Sequence, residues 1–301
     1  MAGGFTAVDL SQLPKPAVVE TLDYETILAE LKAQLTALDA TLAPVLALES
    51  EPLTKIVEVC AYRELNLRQR INESAQAVML AYARQSDLDN LGALMNVARL
   101  QTDPGDPNAI PPVPPSFESD ADYRRRIQLS PEGFSTAGPE GAYVFHALSA
   151  SGDVLDASAI SPNPGEVLVS ILSRTGDGTA DQALIDTVLA VLSADDVRPL
   201  TDQVIVQSAA IINYQITATL YFYAGPGKDE VLAAAQAAAE AYAQKQHRLG
   251  LDVTLSGIYA ALHQSGVQRV ALTSPAADIV IDRQSASYCT AIALSDGGLD
   301  E

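Results

Sequence analysis

Basic residues are scarce in this sequence: 18 Lys and Arg stand against 38 Asp and Glu, a formal charge of −20. A surface of that sign repels phosphate backbones and anionic lipid headgroups, so no partnership with nucleic acid or a membrane is expected. Cysteine is nearly absent. Cys60 and Cys289 lie far apart without CxxC spacing, so they read as small buried hydrophobes rather than a disulfide or a metal site. The three histidines, His146, His247 and His263, form no HExxH or His-x-His pattern, and a surface or packed role is expected for each. No apolar run approaches the length of a membrane span. The start, MAGGFTAVDLSQ, lacks the basic and apolar stretches of a signal peptide, which points to a protein made and kept in a cytoplasm.

What is present is core-forming material. The 301 residues are 48% hydrophobic, enough for a real core and for two domains rather than one. The first third reads as helical. Between Tyr24 and Leu42, Ile27, Leu28, Leu31, Leu35, Leu38 and Leu42 recur three or four apart, and Pro44 should end or kink that run. A longer helix is predicted from Pro52 to about Gln85. Ile56, Val59, Leu67, Ile71, Ala75, Val78 and Tyr82 line one side of it, interrupted by Arg63, and Glu64 and Arg68 are spaced for an ion pair. A stripe that long exceeds any small local core, so a partner helix is implied, from the first helix, another copy or another protein. Ser86 or Asp87 should cap a short helix after it.

Asp103 to Ser116 holds six prolines in fourteen residues, which forbids helix and favours an extended, semi-rigid connector. A polyproline ligand is the sharper alternative, and a spacer is preferred over it. Beyond it the periods mix. Ser119 to Asp122 reads as a capping box. Strands are predicted over Val154–Ile160, Val167–Leu172, Gln203–Gln207 and Ile211–Tyr223, and near Val267–Leu272 and Ser287–Leu294. Helices are predicted from Pro139, over Asp181–Leu192 and Asp229–Gln246, and near Ser256–His263. The fold class is therefore α+β, an N-terminal long-helix arm followed by small mixed α/β sheet domains. The division expected is residues 1–102 as the arm, 103–118 as the linker, and 119–208 and 209–301 as two α+β domains.

Several fragments imitate catalytic motifs, and each lacks a residue the chemistry needs. Gly225-Pro-Gly-Lys228 resembles a phosphate loop, but Phe222 stands for its first glycine and Asp229 for its Ser or Thr. Gly176-Asp-Gly178 misses the third glycine of a dinucleotide fingerprint, and Asp177 and Asp181 would repel a pyrophosphate. Gly133-Phe-Ser135-Thr-Ala-Gly138 is one residue too long for a nucleophile elbow; Ser135 and Thr136 should instead cap the helix at Pro139. Asp195-Asp196 and Asp87-Leu-Asp89 do not continue as calcium loops. No catalytic residue, metal or cofactor is expected. The triplet Arg124, Arg125 and Arg126 fans across a helix. Salt bridges to the chain's own carboxylates are the favoured reading, with an interface to an acidic neighbour as the sharper one. The candidate interface set is thus Ile56, Val59, Leu67, Ile71, Val78, Tyr82 and the three arginines.

The stretch Asp120 to Ala150, DADYRRRIQLSPEGFSTAGPEGAYVFHALSA, is the most distinctive in the chain. With Ser86–Arg99, Asp153–Leu172 and Val197–Val206 it resembles the baseplate J family, wedge proteins of contractile-tailed bacteriophages and of related contractile particles. The matching positions are Asp87, Leu88, Asp89, Leu91, Tyr123, Arg124, Arg126, Ser135, Gly138, Pro139, Tyr143, His146, Ala147, Pro164, Gly165, Arg198, Pro199, Asp202, Gly250 and Gly266. The likeness runs over roughly nine-tenths of the chain, from Leu22 to Leu294.

The resemblance implies a structural subunit acting in tail and baseplate assembly and in triggering sheath contraction, located in the baseplate of a virion tail or tail-like particle assembled in the bacterial cytoplasm. The partners it implies are other copies paired in a ring, a second wedge protein joined through a helical bundle, and a sheath-initiating protein with a lysozyme-like fold. It carries over no catalytic residue. The wedge part would be the same in an infectious phage, an R-type bacteriocin and an injection machine. The competing reading from another class is a soluble cytoplasmic enzyme whose site is assembled from scattered carboxylates; a pocket holding a carboxylate with a shifted pKa would favour it.

Overall fold

In the computed structural model, which describes residues 22–135, 137–225 and 227–299 with Val8, Leu10, Leu13 and Pro14 before them, the fold is α+β. The chain divides into a helical unit, Val8–Ala98, and a second unit from Arg99 onward. Helix α1 (Tyr24–Leu38) is opened by the Asp23 carboxylate, which accepts a bond from the Glu25 N–H. It stops earlier than expected. Asp39 accepts from both the backbone N–H and the hydroxyl of Thr41, which starts a 3-10 turn over Ala40–Leu42. Pro44 is not the breaker; it sits in the first turn of the short α2 (Ala43–Leu46), where a missing N–H is harmless.

Helix α3 (Pro52–Ala77) begins where Pro52 predicts but ends well before Gln85. Val78 leaves helical geometry, and residues 78–84 form turns in which Ala83 donates to the Met79 carbonyl. Val78 and Tyr82 therefore lie beyond the helix whose stripe they were predicted to extend. The half-buried Tyr82 donates its hydroxyl to the Leu13 carbonyl at 2.7 Å. Helix α4 (Gln85–Leu94) starts without a side-chain cap, so neither Ser86 nor Asp87 caps it. The core of this unit is small: Ile27, Leu28, Leu46, Val57 and Ala61, with Leu31, Leu35, Leu53 and Leu65 at its margin.

The proline-rich stretch does not span between domains. Strands β1 (Gln101–Asp103) and β2 (Ser116–Phe117) pair antiparallel, and Asp106 and Val113 exchange backbone bonds between them. The segment is a closed hairpin excursion, a finger whose ends meet. Gly105 has φ +69°, and a Cβ there would lie 2.4 Å from the Val113 carbonyl oxygen, so the close approach of the two limbs requires glycine. The finger is anchored at its base by Glu118. That carboxylate is buried, holds the Leu100 N–H, and pairs with the buried Arg126.

Ser119 caps α5 (Asp120–Gly133) through the Asp122 N–H, as the box pattern requires. Helix α6 (Glu140–Ala150) follows, then β3 (Val154–Ile160), β4 (Glu166–Ser173), α7 (Gln182–Leu192) and β5 (Gln203–Ser208). Strand β4 is central, antiparallel to β3 and parallel to β5. Leu129, Tyr143, Ala147, Val169, Ile171, Val188 and Leu192 fill the core between helices and sheet. A single residue, Ala209, separates β5 from β6 (Ala210–Phe222). The last sheet repeats the layout, with β6 between antiparallel β7 (Val267–Ser274) and parallel β8 (Ser285–Leu299). Helices α8 (Lys228–Gln246) and α9 (Leu255–Leu262) cover one face of it. Tyr214, Ile216, Ala218, Leu220 and Phe222 alternate into that core, because side chains two apart on a strand share a face.

Leu220 is fully buried, whereas Leu67 on α3 is 63% exposed. Leu220→Ala should cost about 2–5 kcal/mol, the range for a buried leucine truncation. Leu67→Ala should change stability by no more than about 0.5 kcal/mol. Urea midpoints of the two variants check this, and equal losses would contradict the assignment of inner and outer faces.

Candidate functional site

Helix α3 presents two unlike faces. Thr54, Val57, Ala61 and Asn72 are buried within its unit, while Ile56, Val59, Leu67 and Ile71 are about 60% exposed. At 3.6 residues per turn these four, with Cys60, Arg63 and Arg70, form one continuous strip along the helix. Glu58 and Glu73 project elsewhere, and the single carboxylate at the strip's edge, Glu64, is paired with Arg68 at 2.6 Å. In a chain of net charge −20, an exposed face that is mainly apolar and bears arginines is unusual. The strip is open because α3 turns a different side, that of Val57, Ala61 and Leu65, into the core it shares with α1. At about 1.5 Å per residue, α3 is about 39 Å long and α1 about 22 Å, so α1 can cover little more than half of it. Beside the strip, an uncharged groove of about 300 Å³ runs between α1 and α3, lined by Leu31, Leu35, Leu38, Leu53, Ile56 and Cys60 among others.

The three arginines of α5 are placed differently. Arg126 is buried against Glu118, its Nε 3.0 Å from Oε2, and it also reaches the Ser149 hydroxyl. Arg125 pairs with the buried Asp156 at 2.8 Å. Arg124 is half-buried. Arg125 and Arg126 thus serve the chain's own carboxylates, and Arg126 has no surface to offer a neighbour. Tyr123, 1% exposed, lies under the guanidinium groups of Arg99 and Arg126 at 4.6 and 5.7 Å.

The same helix start holds the joint between the two sheet domains. Asp122 accepts from Arg174, which follows β4, at 2.9 Å and from Arg248, which follows α8, at 2.7 Å. Arg248 also donates to the Leu155 carbonyl, and Asp156 accepts the Leu249 N–H at 3.0 Å. Arg283 pairs with Glu140 and donates to the Ala159 carbonyl at 3.1 Å. A small apolar patch of Leu172, Ala209 and Ala286 completes the joint. Burial by itself would raise the Asp122 carboxyl, but the guanidinium of Arg248, followed by that of Arg174, outweighs it and holds the carboxyl below its ordinary range. The cleft that Glu118, Asp122, Arg125, Arg126 and Arg174 surround has only about 10 Å³ of free volume, room for one water. The carboxylates that converge there face arginines in a space too small for a substrate.

The imitations of catalytic motifs are turns and packing. Gly227, with φ +93°, opens α8. Gly178 closes a turn with its N–H on the Thr175 carbonyl, and Asp177 accepts from the Thr179 N–H. The Ser135 hydroxyl accepts from the Ala137 N–H and does not cap α6, whose N-cap is Pro139; Thr136 lies outside the described residues. His247 Nδ1 lies 2.6 Å from the Ser287 carbonyl, and burial lowers the pKa of His146. Among the described residues no group of three or more His, Cys, Asp or Glu side chains could hold a metal ion, and no helix is long and apolar enough to cross a membrane.

One knot of residues draws together distant parts of the central domain. Tyr143 on α6 donates its hydroxyl to Asp202 at 2.8 Å, and burial, then this bond, raises its phenol pKa. Arg198 donates to the Asp202 carbonyl. A Cβ on Gly138, which has φ +68°, would lie 2.6 Å from the Pro199 ring. These are positions quoted above for the family resemblance, and the comparisons agree with it. Models of the baseplate J-like N-terminal, central and C-terminal domains match residues 49–106, 135–208 and 214–295. Baseplate protein J of Escherichia phage P2 is 53% identical over 299 residues, covering 98% of this chain and 99% of that protein. The chain belongs to the baseplate J family. Within that family frame, the N-terminal match takes in α3 and α4 and reaches into the finger, and the central match ends with β5 at Ser208. The baseplate J C-terminal match covers nearly all of the β6–β8 domain. Sequence reasoning missed the Asp122 joint, because Arg248 lies 126 residues away from Asp122 and no local pattern relates them.

The joint has a pH signature. A carboxyl held below 3.8 in the fold contributes stability above that pH and loses it as pH falls through the lower folded value. Asp122→Asn should therefore lower the melting temperature at pH 7, and the gap to the parent protein should narrow once pH drops below 3.8. Melting curves between pH 7 and about pH 2 test it. A gap that stays constant through the acid range would show that the charge of Asp122 does not hold the joint.

Proposed function

We propose that this chain is a wedge subunit of the baseplate of a contractile phage tail or tail-like particle, and that its work is assembly and transmission of a conformational trigger rather than turnover. The observation that carries the reading is the exposed strip of α3 in a baseplate J protein: a two-faced helix with only one face covered by its own unit. An amphipathic face of this length fits a helix from a neighbouring chain, in the manner of a helical bundle. Its arginines, with Glu64 at the edge already paired to Arg68, suit a partner that is itself acidic, such as another copy or a second wedge protein. The sheath-initiating protein with a lysozyme-like fold is the further neighbour this reading assigns.

Net charge opposes such an assembly. Copies at −20 repel, yet at physiological salt the screening length is about 8 Å. Apolar packing therefore supplies the interface free energy, at roughly 25 cal/mol per Å² buried. The way the two sheets of the second unit are joined supports the triggering role. The sheet domains are latched by ion pairs around a small apolar patch, and joints of that kind permit relative domain motion.

Leu67 and Ile71 are exposed, so replacing both with Asp should leave the melting temperature within about 2–4 °C of the parent, as surface changes do. The same variant should be missing from purified particles. Raising salt to about 0.5 M should change assembly of the parent chain only slightly, since it screens the net repulsion between copies as well as the attraction of the exposed arginines. Particles that incorporate the folded double variant at the parent level would refute the interface.

A further inference from the structure

The finger and the α1–α3 groove are both apolar surfaces, and they are complementary in kind. Every residue from Ile110 to Phe117 is exposed, Ile110 fully so. Seven of these eight residues are apolar, and no charge occurs from Pro107 to Phe117. A fully exposed isoleucine at the end of a proline-stiffened hairpin is costly to solubility unless something covers it. The finger is also pre-ordered. Asp106 and Val113 bond in both directions, Asp103 and Asp106 hold the Gly105 and Asn108 N–H groups, and the Glu118–Arg126 pair fixes the base. A projection ordered in advance loses little conformational entropy when it docks.

We infer that the finger of one copy seats in the α1–α3 groove of another copy. Charge selects the occupant. Two chains at −20 can approach closely only through surfaces free of carboxylates. The finger from Pro107 to Phe117 is such a surface, and the groove lining of Leu, Ile, Val, Gln and Cys is another. At about 300 Å³ the groove matches the lower range of pockets that enclose small ligands, space for the few apolar side chains of a loop tip. A projection and a recess at different places on one chain make a head-to-tail contact, which closes rings when the rotation allows. Each contact is small and gains its strength from repetition in the assembly. The inference rests on reading the α3 face as an interface and names what fills its end beside α1. Leu67 and Ile71 lie about 10 Å or more along the helix from Cys60 and are left for a partner helix.

Cys60 lines the groove and supplies the reporter. Particles carrying the full chain with Ile110→Cys and Cys289→Ser are oxidised with copper phenanthroline in air and run on non-reducing gels. The expected result is chains linked in pairs or ladders, lost when Cys60→Ser is added. An intrachain disulfide, links that persist without Cys60, or unlinked chains in intact particles would each overturn the finger-to-groove contact while leaving the wedge reading standing. Absence of the unmodified chain from particles would overturn both. Ile110→Asp gives an independent measure. Because the side chain is fully exposed, folding is unaffected, and particle yield should fall about tenfold, the equivalent of about 1.4 kcal/mol at the contact. Undiminished yield of that variant also refutes it.

Discussion

Asp122 is the residue on which the arrangement of the second unit hangs. It accepts guanidinium bonds from the central domain through Arg174 and from the C-terminal domain through Arg248. Four residues earlier, Glu118 anchors the finger through Arg126, and Asp120 holds Arg99. The first two turns of α5 thus fix the finger, the β3–β5 sheet and the β6–β8 sheet relative to one another. Half-buried ion pairs of this type add little net stability, because desolvation offsets most of the attraction. What they do is penalise alternatives strongly, since separating the partners leaves a charge without compensation. The joint is therefore specified more than it is strengthened.

This use of arginine has a consequence for the outside. Arg99, Arg125, Arg126, Arg174, Arg248 and Arg283 all pair with carboxylates of their own unit. Of the exposed cations on α3, Lys55 pairs with Glu58, and Arg63 and Arg70 sit amid apolar residues. In the proposed assembly, cohesion then comes from area more than from charge. The molecule exposes apolar area in the helix strip and in the finger, where carboxylates are few.

Periodicity made the α+β class and most element positions legible, because amphipathic alternation is a local property. The strand over β6 and the helix over α8 shift by only a residue from the sequence reading. The strip Ile56, Val59, Leu67 and Ile71 was also legible, since a helix face needs only spacing. Its end was not. Val78 and Tyr82 keep the helical spacing, but the backbone turns at Val78 and Tyr82 reaches back to the Leu13 carbonyl, a contact of 69 residues' separation. Asp39 beat Pro44 as helix breaker because a side-chain bond to Thr41 is a positive cause, while proline is merely tolerated in a first turn. The finger was misread as a spacer for a related reason. Proline content dictates an extended local backbone but says nothing of whether its ends meet, and that is decided by Glu118, Leu100 and Arg126.

The residues that identify the family are instructive in the same way. Gly138 admits the Pro199 ring, Tyr143 bonds Asp202, and Arg198 closes on the same loop. In an enzyme, a distinctive motif usually marks reacting groups. Here it marks a knot that ties α6 to the loop entering β5, so the geometry of the sheet is what the motif encodes. The proposed role, transmitting shape within a baseplate, needs fixed points in the core and exchangeable contacts outside. That division fits this chain: buried polar residues such as Glu118, Arg126 and Asp156 set positions, and exposed apolar ones lie on α3 and the finger. On the proposed reading, exchange at outer contacts then proceeds without unfolding the buried ion pairs that hold the sheets.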